Sequence, residues 1–156
     1  MRVARAEEGD LPQVVERWRE MMILHERMDP VFEMAPDGEA VFEGFLRTCL
    51  ASEEHLLLVA KEGKEVLGYL LAHIESRQPV FRERTFGEIS DLAVREDHWR
   101  EGVGERMLKG SMKWFKSKGV ERIEVRASPS NAAAIGFWRK HGFEEYSKVM
   151  RSGSPP

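Results

Sequence analysis

The segment Glu88-Ile89-Ser90-Asp91-Leu92-Ala93-Val94 passes through Arg95-Glu96-Asp97 into His98-Trp99-Arg100-Glu101-Gly102-Val103-Gly104. Its first part has the apolar spacing of a strand, and its second holds two glycines with one residue between them. An amphipathic helical pattern starts at once. A strand, a tight turn and a helix N-terminus in that order aim successive backbone N–H groups at one point, which suits an anion such as a pyrophosphate. The segment therefore reads as a cradle for a large phosphorylated ligand, with the Glu88 carboxylate upstream of it.

Downstream of the cradle, Met107, Leu108, Met112 and Phe115 recur at helical spacing, and Lys118-Gly119 closes that helix. Residues 121–127 alternate as a strand, with Ile123 and Val125 on one side. Asn131 then opens a short helix that runs to Lys140, and residues 143–150 read as a last strand. Upstream, residues 2–6 suggest a first strand. Asp10 caps a helix with Pro12 in its first turn and Leu11, Val14, Val15, Trp18, Met21 and Met22 on one face. A second helix reaches Leu50, carrying Val41, Phe42, Phe45 and Leu46. Glu62-Gly63-Lys64 turns one strand, 55–60, into another, 66–75, and residues 76–84 are a loop. Strand–helix–strand units in the second half imply parallel pairing, and the Gly63 turn implies an antiparallel pair. The expected fold is α/β, a mixed sheet with helices on both faces.

The 156 residues suit one domain, 1–150, with a polar Pro/Gly/Ser tail over 151–156 expected to be disordered. Net charge is −3 and no dense Lys/Arg block occurs, which argues against nucleic acid as a partner. The longest apolar run, Leu56 to Ala60, is too short for a membrane span, and the charged start does not read as a signal peptide. One cysteine, Cys49, excludes an internal disulfide framework, and its helical position suggests a small buried hydrophobe. A cytoplasmic protein is expected.

Leu92-Ala93-Val94, Arg100-Glu101-Gly102-Val103-Gly104 and Asn131-Ala132-Ala133-Ala134-Ile135-Gly136-Phe137-Trp138-Arg139-Lys140-His141-Gly142-Phe143 together resemble the GNAT superfamily of acetyl-CoA-dependent N-acetyltransferases. The resemblance covers nearly the whole chain. It implies a centrally splayed sheet, acetyl-CoA as co-substrate and a primary amine on a small molecule or peptide as acceptor. It further implies a cofactor site made of Leu92, Ala93, Val94, Trp99, Arg100, Glu101, Gly102, Val103, Gly104, Glu105, Asn131, Phe137 and Trp138. The family's phosphate loop reads Gln/Arg-x-x-Gly-x-Gly/Ala, and Trp99 stands at the Gln/Arg position with Arg100 one place later. Backbone N–H groups do most of the binding there, so this departure is tolerable. By the same resemblance, a backbone N–H near Leu92 or Ala93 would stabilise the oxyanion. Taken alone, Asn131 is more simply a helix cap.

An amine must be neutral to attack a thioester, and one with a pKa near ~10.4 is neutral in fewer than about one in a thousand molecules at pH 7. A carboxylate can take the proton. Glu88 stands fourteen residues before Gly102, as the general-base glutamate does in the family's histone-acetylating branch. Another branch places it two residues later, where this chain has Ser90. Asp91 lies nearby and is the second catalytic candidate, although strict alternation puts it on the opposite face from Glu88 and Ser90 and a structural role within the sheet suits it better. Many relatives carry a general-acid tyrosine immediately after the phenylalanine of the second motif. Trp138 is there instead, and an indole N–H does not deliver a proton. A thiolate whose parent thiol has a pKa near ~8.5 can leave unaided. Tyr146 is not at the family position.

His25, His55, His73, His98 and His141 are too scattered for a metal site, and no metal is expected. His25 and His73 are candidates to face an acceptor pocket, although packing roles suit them better. Glu26, Asp29 and Glu33 would favour a cationic acceptor, whereas Arg77, Arg82 and Arg84 would favour an acidic one. A homodimer is allowed. The competing readings are a non-catalytic acyl-CoA-binding or regulatory module of the same fold and, last, a nucleotide-phosphate binder. The latter lacks the Lys-Ser/Thr pair of a P-loop.

Overall fold

The computed structural model describes residues 1–153. They fall into two compact units, Met1–Arg126 and a second that begins at Ala127.

The first unit holds β1 (Arg2–Arg5), α1 (Leu11–Met28), α2 (Gly38–Leu50), β2 (His55–Glu62), β3 (Glu65–Ser76), β4 (Thr85–Val94), α3 (Val103–Ser117) and β5 (Ile123–Val125). The five strands lie in chain order, β1-β2-β3-β4-β5. The first three pairings are antiparallel and β4–β5 is parallel, so the sheet is mixed as expected. Both β2 and β3 are long apolar runs, because helices cover both faces of the sheet at those strands.

On one face, Leu11, Val14 and Val15 of α1 and Leu46 and Cys49 of α2 pack with Leu57, Val59, Tyr69, Leu71 and Ala93. Trp18 stacks on Phe42 at 4.4 Å and 17°, which joins the two helices. Cys49 is buried, and burial pushes its thiol up, with a smaller opposing effect from Thr48. On the other face, α3 sits close to the strands. A Cβ at Gly87 would meet the Phe115 ring at 2.4 Å, so only glycine lets α3 approach β4 this closely.

Two details of the first unit differ from the sequence expectations. Asp10 precedes α1 without capping it. Its carboxylate instead accepts from the Glu7 N–H at 2.9 Å and from Lys61 on β2. The strand expected over 121–127 shortens to Ile123–Val125.

The second unit contains α4 (Ala132–Lys140). The strand expected over 143–150 is absent among the described residues. After Phe143 the side chains stand in solvent, with Val149 88% and Met150 87% exposed, and no ladder partner fixes the backbone. Alternation alone does not make a strand without such a partner. Of the expected tail, 151–153 is irregular and exposed, and 154–156 lies outside the described residues.

Candidate active site

β4 pairs with β3 over its whole length but with β5 only at Gly87, Glu88 and Ile89. From Ser90 to Val94 its edge toward β5 has no ladder partner, which is the splay that the resemblance implied. Leu92 and Val94 are half-buried there and Ala93 is buried.

A bulge interrupts the β3–β4 ladder at the same place. Leu71 faces Asp91 and Ala72 faces Ile89, so Ser90 is the extra residue. Residues opposite each other on paired strands point to the same face. Glu88, opposite His73, and Asp91, opposite Leu71, therefore share the α1/α2 face of the sheet. This corrects the expectation that Asp91 points away from Glu88. The inserted residue resets the alternation, and the Tyr69 hydroxyl donates to Asp91 Oδ2 at 3.1 Å from that same face.

Burial raises the Asp91 carboxyl to about 6, against a smaller downward pull from the Tyr69 hydroxyl. Tyr69 is fully buried, and burial together with the Asp91 charge holds its phenol well above its ordinary range. Glu88 is half-buried and makes no side-chain hydrogen bond among the described residues. Opposite it on β5, Glu124 is paired with Arg122 at 2.8 Å.

Histidines complete this face. His73 Nδ1 lies 3.1 Å from Ser90 Oγ, and its Nε2 lies 3.0 Å from Glu75 Oε1. His55 stacks on His73, with ring centroids 5.6 Å apart and planes at 22°. Counting back from the Gly63 turn would set His55 against Ala72. A second bulge, beside Ala60, shifts the ladder by one and sets it against His73. Glu75 and His55 were not singled out from the sequence, and no local signal marks them. His25 instead lies against Phe32, with ring centroids 5.3 Å apart.

The loop after β4 is held from within. Arg95 bonds Asp97 through Nε at 2.6 Å and through a terminal nitrogen at 3.0 Å, and it also pairs with Glu65. It donates to His98 Nε2 at 2.9 Å, which leaves the His98 proton on Nδ1 for Glu101 at 2.7 Å. Trp99 is half exposed, and its indole N–H donates to the Val94 carbonyl at 2.6 Å. Arg100 has φ 66° and Gly102 φ 79°, so two left-handed residues stand within three positions. Val103 is buried at the start of α3, and by helix geometry the first-turn N–H groups of Val103 and Gly104 have no intrahelical acceptor. Glu105 pairs with Lys109 at 2.8 Å. Left-handed turns feeding a helix N-terminus fit a pyrophosphate.

In the second unit, Asn131 Oδ1 accepts the Ala134 N–H at 3.1 Å, the expected cap. Trp138 is buried between Phe137 and Phe143, edge-on to both, with centroids 5.0 and 5.1 Å away. Tyr146 is 72% exposed. Among the described residues, no three His, Cys, Asp or Glu side chains group as metal ligands. Among the described residues, no helix is long and apolar enough to cross a membrane.

The Acetyltransferase (GNAT) family model matches residues 18–143. The N-alpha-acetyltransferase of Sulfurisphaera tokodaii is 32% identical over 109 residues, which are 65% of this chain and 64% of that protein. The chain thus spans just under two thirds of this relative's length. Among solved structures, a tetramutant of the BH1408 protein from Bacillus halodurans superposes with TM-score 0.88 at 19% identity, covering 99% of this chain and all of that one. The aminoglycoside antibiotic 6'-N-acetyltransferase of Acinetobacter haemolyticus superposes with TM-score 0.77 at 20% identity, covering 100% and 99%. At those identities the two structures speak for the fold.

Proposed function

This chain belongs to the GNAT family of acetyltransferases, and from that premise we propose that it moves an acetyl group from acetyl-CoA to a primary amine by direct attack in a ternary complex. The observation that carries the reading is the end of β4. There the strand loses β5, turns Glu88, Ser90 and Asp91 toward one face, and runs directly into a left-handed anion loop.

Acetyl-CoA supplies an activated thioester. The loop from Trp99 to Glu101, with the N–H groups of Gly102, Val103, Gly104 and Glu105, holds its pyrophosphate. The open edge at Leu92, Ala93 and Val94 pairs with the pantetheine amides, and one N–H there stabilises the oxyanion. The resemblance also assigns Asn131, Phe137 and Trp138 to the cofactor, and Asn131 keeps its capping role on α4. Glu88 takes the proton of the amine. Asp91 is the second carboxylate of the same face, and a group titrating near 6 is ionised yet basic at pH 7. The thiolate leaves without an acid, because Trp138 supplies none. In this reading one domain over 1–150 does the work in the cytoplasm, alone or as a homodimer. The acceptor is a small molecule or a peptide N-terminus, the latter supported by the archaeal relative's name.

Thermal shifts with acetyl-CoA, CoA and ATP test the cofactor, since a ligand of the native state raises its stability. Acetyl-CoA and CoA should raise the midpoint and ATP should not. Thiol release across amines, peptides and aminoglycosides tests turnover. Tight acetyl-CoA binding without thiol release from any acceptor would replace the enzyme with a non-catalytic acyl-CoA-binding module of the same fold.

A further inference from the structure

Resting on the transferase reading above, we propose that Ser90, His73 and Glu75 form a proton relay that drains the acceptor amine through the Ser90 hydroxyl. It takes the second of the amine's two protons, after Glu88 has taken the first.

Three observations carry it. The bulge leaves Ser90 as the unpaired residue of β4 where the strand parts from β5, so its exposed side chain stands at the opening. Its Oγ is 3.1 Å from His73 Nδ1, and His73 Nε2 is 3.0 Å from Glu75 Oε1. An ionised carboxylate only accepts, so the neutral His73 proton sits on Nε2. Nδ1 then presents a lone pair, and Ser90 must donate to it. A nucleophile-side hydroxyl, a base and a group orienting that base is the geometry that moves a proton along a fixed path.

The step balances. Glu88 first takes the proton of the ammonium form. As the neutral amine nitrogen then bonds to the acetyl carbon and the carbon–sulfur bond breaks, its second proton passes to Ser90 Oγ. The Ser90 proton moves to His73 Nδ1, and the electron pair leaves on the CoA thiolate. His73 becomes an imidazolium held by Glu75, and its side chain is 17% exposed, enough to return the proton to solvent. The other groups near His73 fit this role. Burial, then the His73 charge, lowers the His55 imidazole stacked on it, with smaller opposite effects from Glu54 and Glu75. Glu88, opposite His73 on β4, and Asp91 further along are the carboxylates that share its face. Phe45 of α2 caps His55 edge-on at 6.2 Å and brings no charge. Ser90 touches the substrate, whereas His73 and Glu75 act through it.

The test pairs kinetics with a readout independent of turnover. Thiol release from acetyl-CoA is followed with an alanine-initiated peptide, spermidine and kanamycin. Ser90→Ala and His73→Gln should each lower kcat about tenfold or more, with KM for acetyl-CoA within about twofold. Ser90→Thr should restore most of the rate, and His73→Gln should flatten the acidic limb of the pH profile. Nitrogen NMR of the imidazoles should show neutral His73 protonated on Nε2, and Glu75→Ala should weaken that preference. Unchanged kcat in Ser90→Ala, or a neutral His73 protonated on Nδ1, overturns the relay. Absence of thiol release from wild-type protein with every amine instead overturns the transferase reading, and the tautomer measurement still decides the hydrogen-bonded chain.

Discussion

Between Arg95 and Glu105 nearly every bond that shapes the loop is made by a neighbour in sequence. Arg95 holds Asp97 and His98, His98 holds Glu101 and Trp99 holds the Val94 carbonyl, while Glu65 and the Leu67 carbonyl, which accepts the Arg95 N–H at 2.8 Å, come from elsewhere. The polar face of β4 is assembled the other way. Tyr69 reaches Asp91 across 22 positions and His73 reaches Ser90 across 17, each through the β3–β4 ladder. The loop is tied to the sheet mainly at its first residue, whereas the polar face depends on the register of three strands. Holding a phosphate needs donors, which local backbone supplies. Moving a proton needs unlike side chains at set distances, which only tertiary pairing supplies.

The largest effect that would separate the two regions is on rate. Glu88→Gln should lower kcat by about 10²–10⁴-fold, most at low pH, and leave acetyl-CoA affinity nearly intact. An unchanged pH–rate profile would remove Glu88 from the base role.

Asp91→Asn should act on stability with a defined sign. The native carboxyl titrates at about 6, above its unfolded value of 3.8. The native state thus binds more protons than the unfolded state between these values, and stability is lost as pH rises through that window. Asparagine keeps an acceptor for Tyr69 and carries no charge. The variant should gain about 2 kcal/mol over wild type at pH 8 and almost nothing at pH 4. Equal denaturation midpoints at pH 8 would show that the buried charge costs nothing.

Gly102→Val tests the loop. A branched side chain at φ 79° costs about 1–2 kcal/mol, and calorimetry should show acetyl-CoA binding about tenfold weaker. Normal affinity would sink the cradle while leaving the polar face untouched. Smallest is Asn131→Ala, which removes the cap on α4 and should cost about 1 kcal/mol in chemical denaturation. A loss far beyond that would mean Asn131 does more than cap.

Much of the fold was legible where the signal is short-ranged. Apolar periodicity marked α1, α2 and α3, the Gly63 turn marked the hairpin, and Asn131 marked the start of α4. Legibility failed where partners decide. Residues 143–150 alternate weakly, but the structure gives them no ladder. The bulge at Ser90 adds one residue against β3, and nothing in Glu88-Ile89-Ser90-Asp91 alone announces it.

The sequence by itself determined the strand–turn–helix around Gly102, because glycines, a strand and a helix start within a few residues leave one local geometry, and its resemblance in two motifs pointed to the family. It also put Glu88 forward through its distance from Gly102. Only the tertiary structure decided that Asp91 joins Glu88, that His55 lies on His73, and that Ser90 meets an imidazole. Each depends on which residue stands opposite which, and a single inserted residue in a ladder turns every later side chain to the other face.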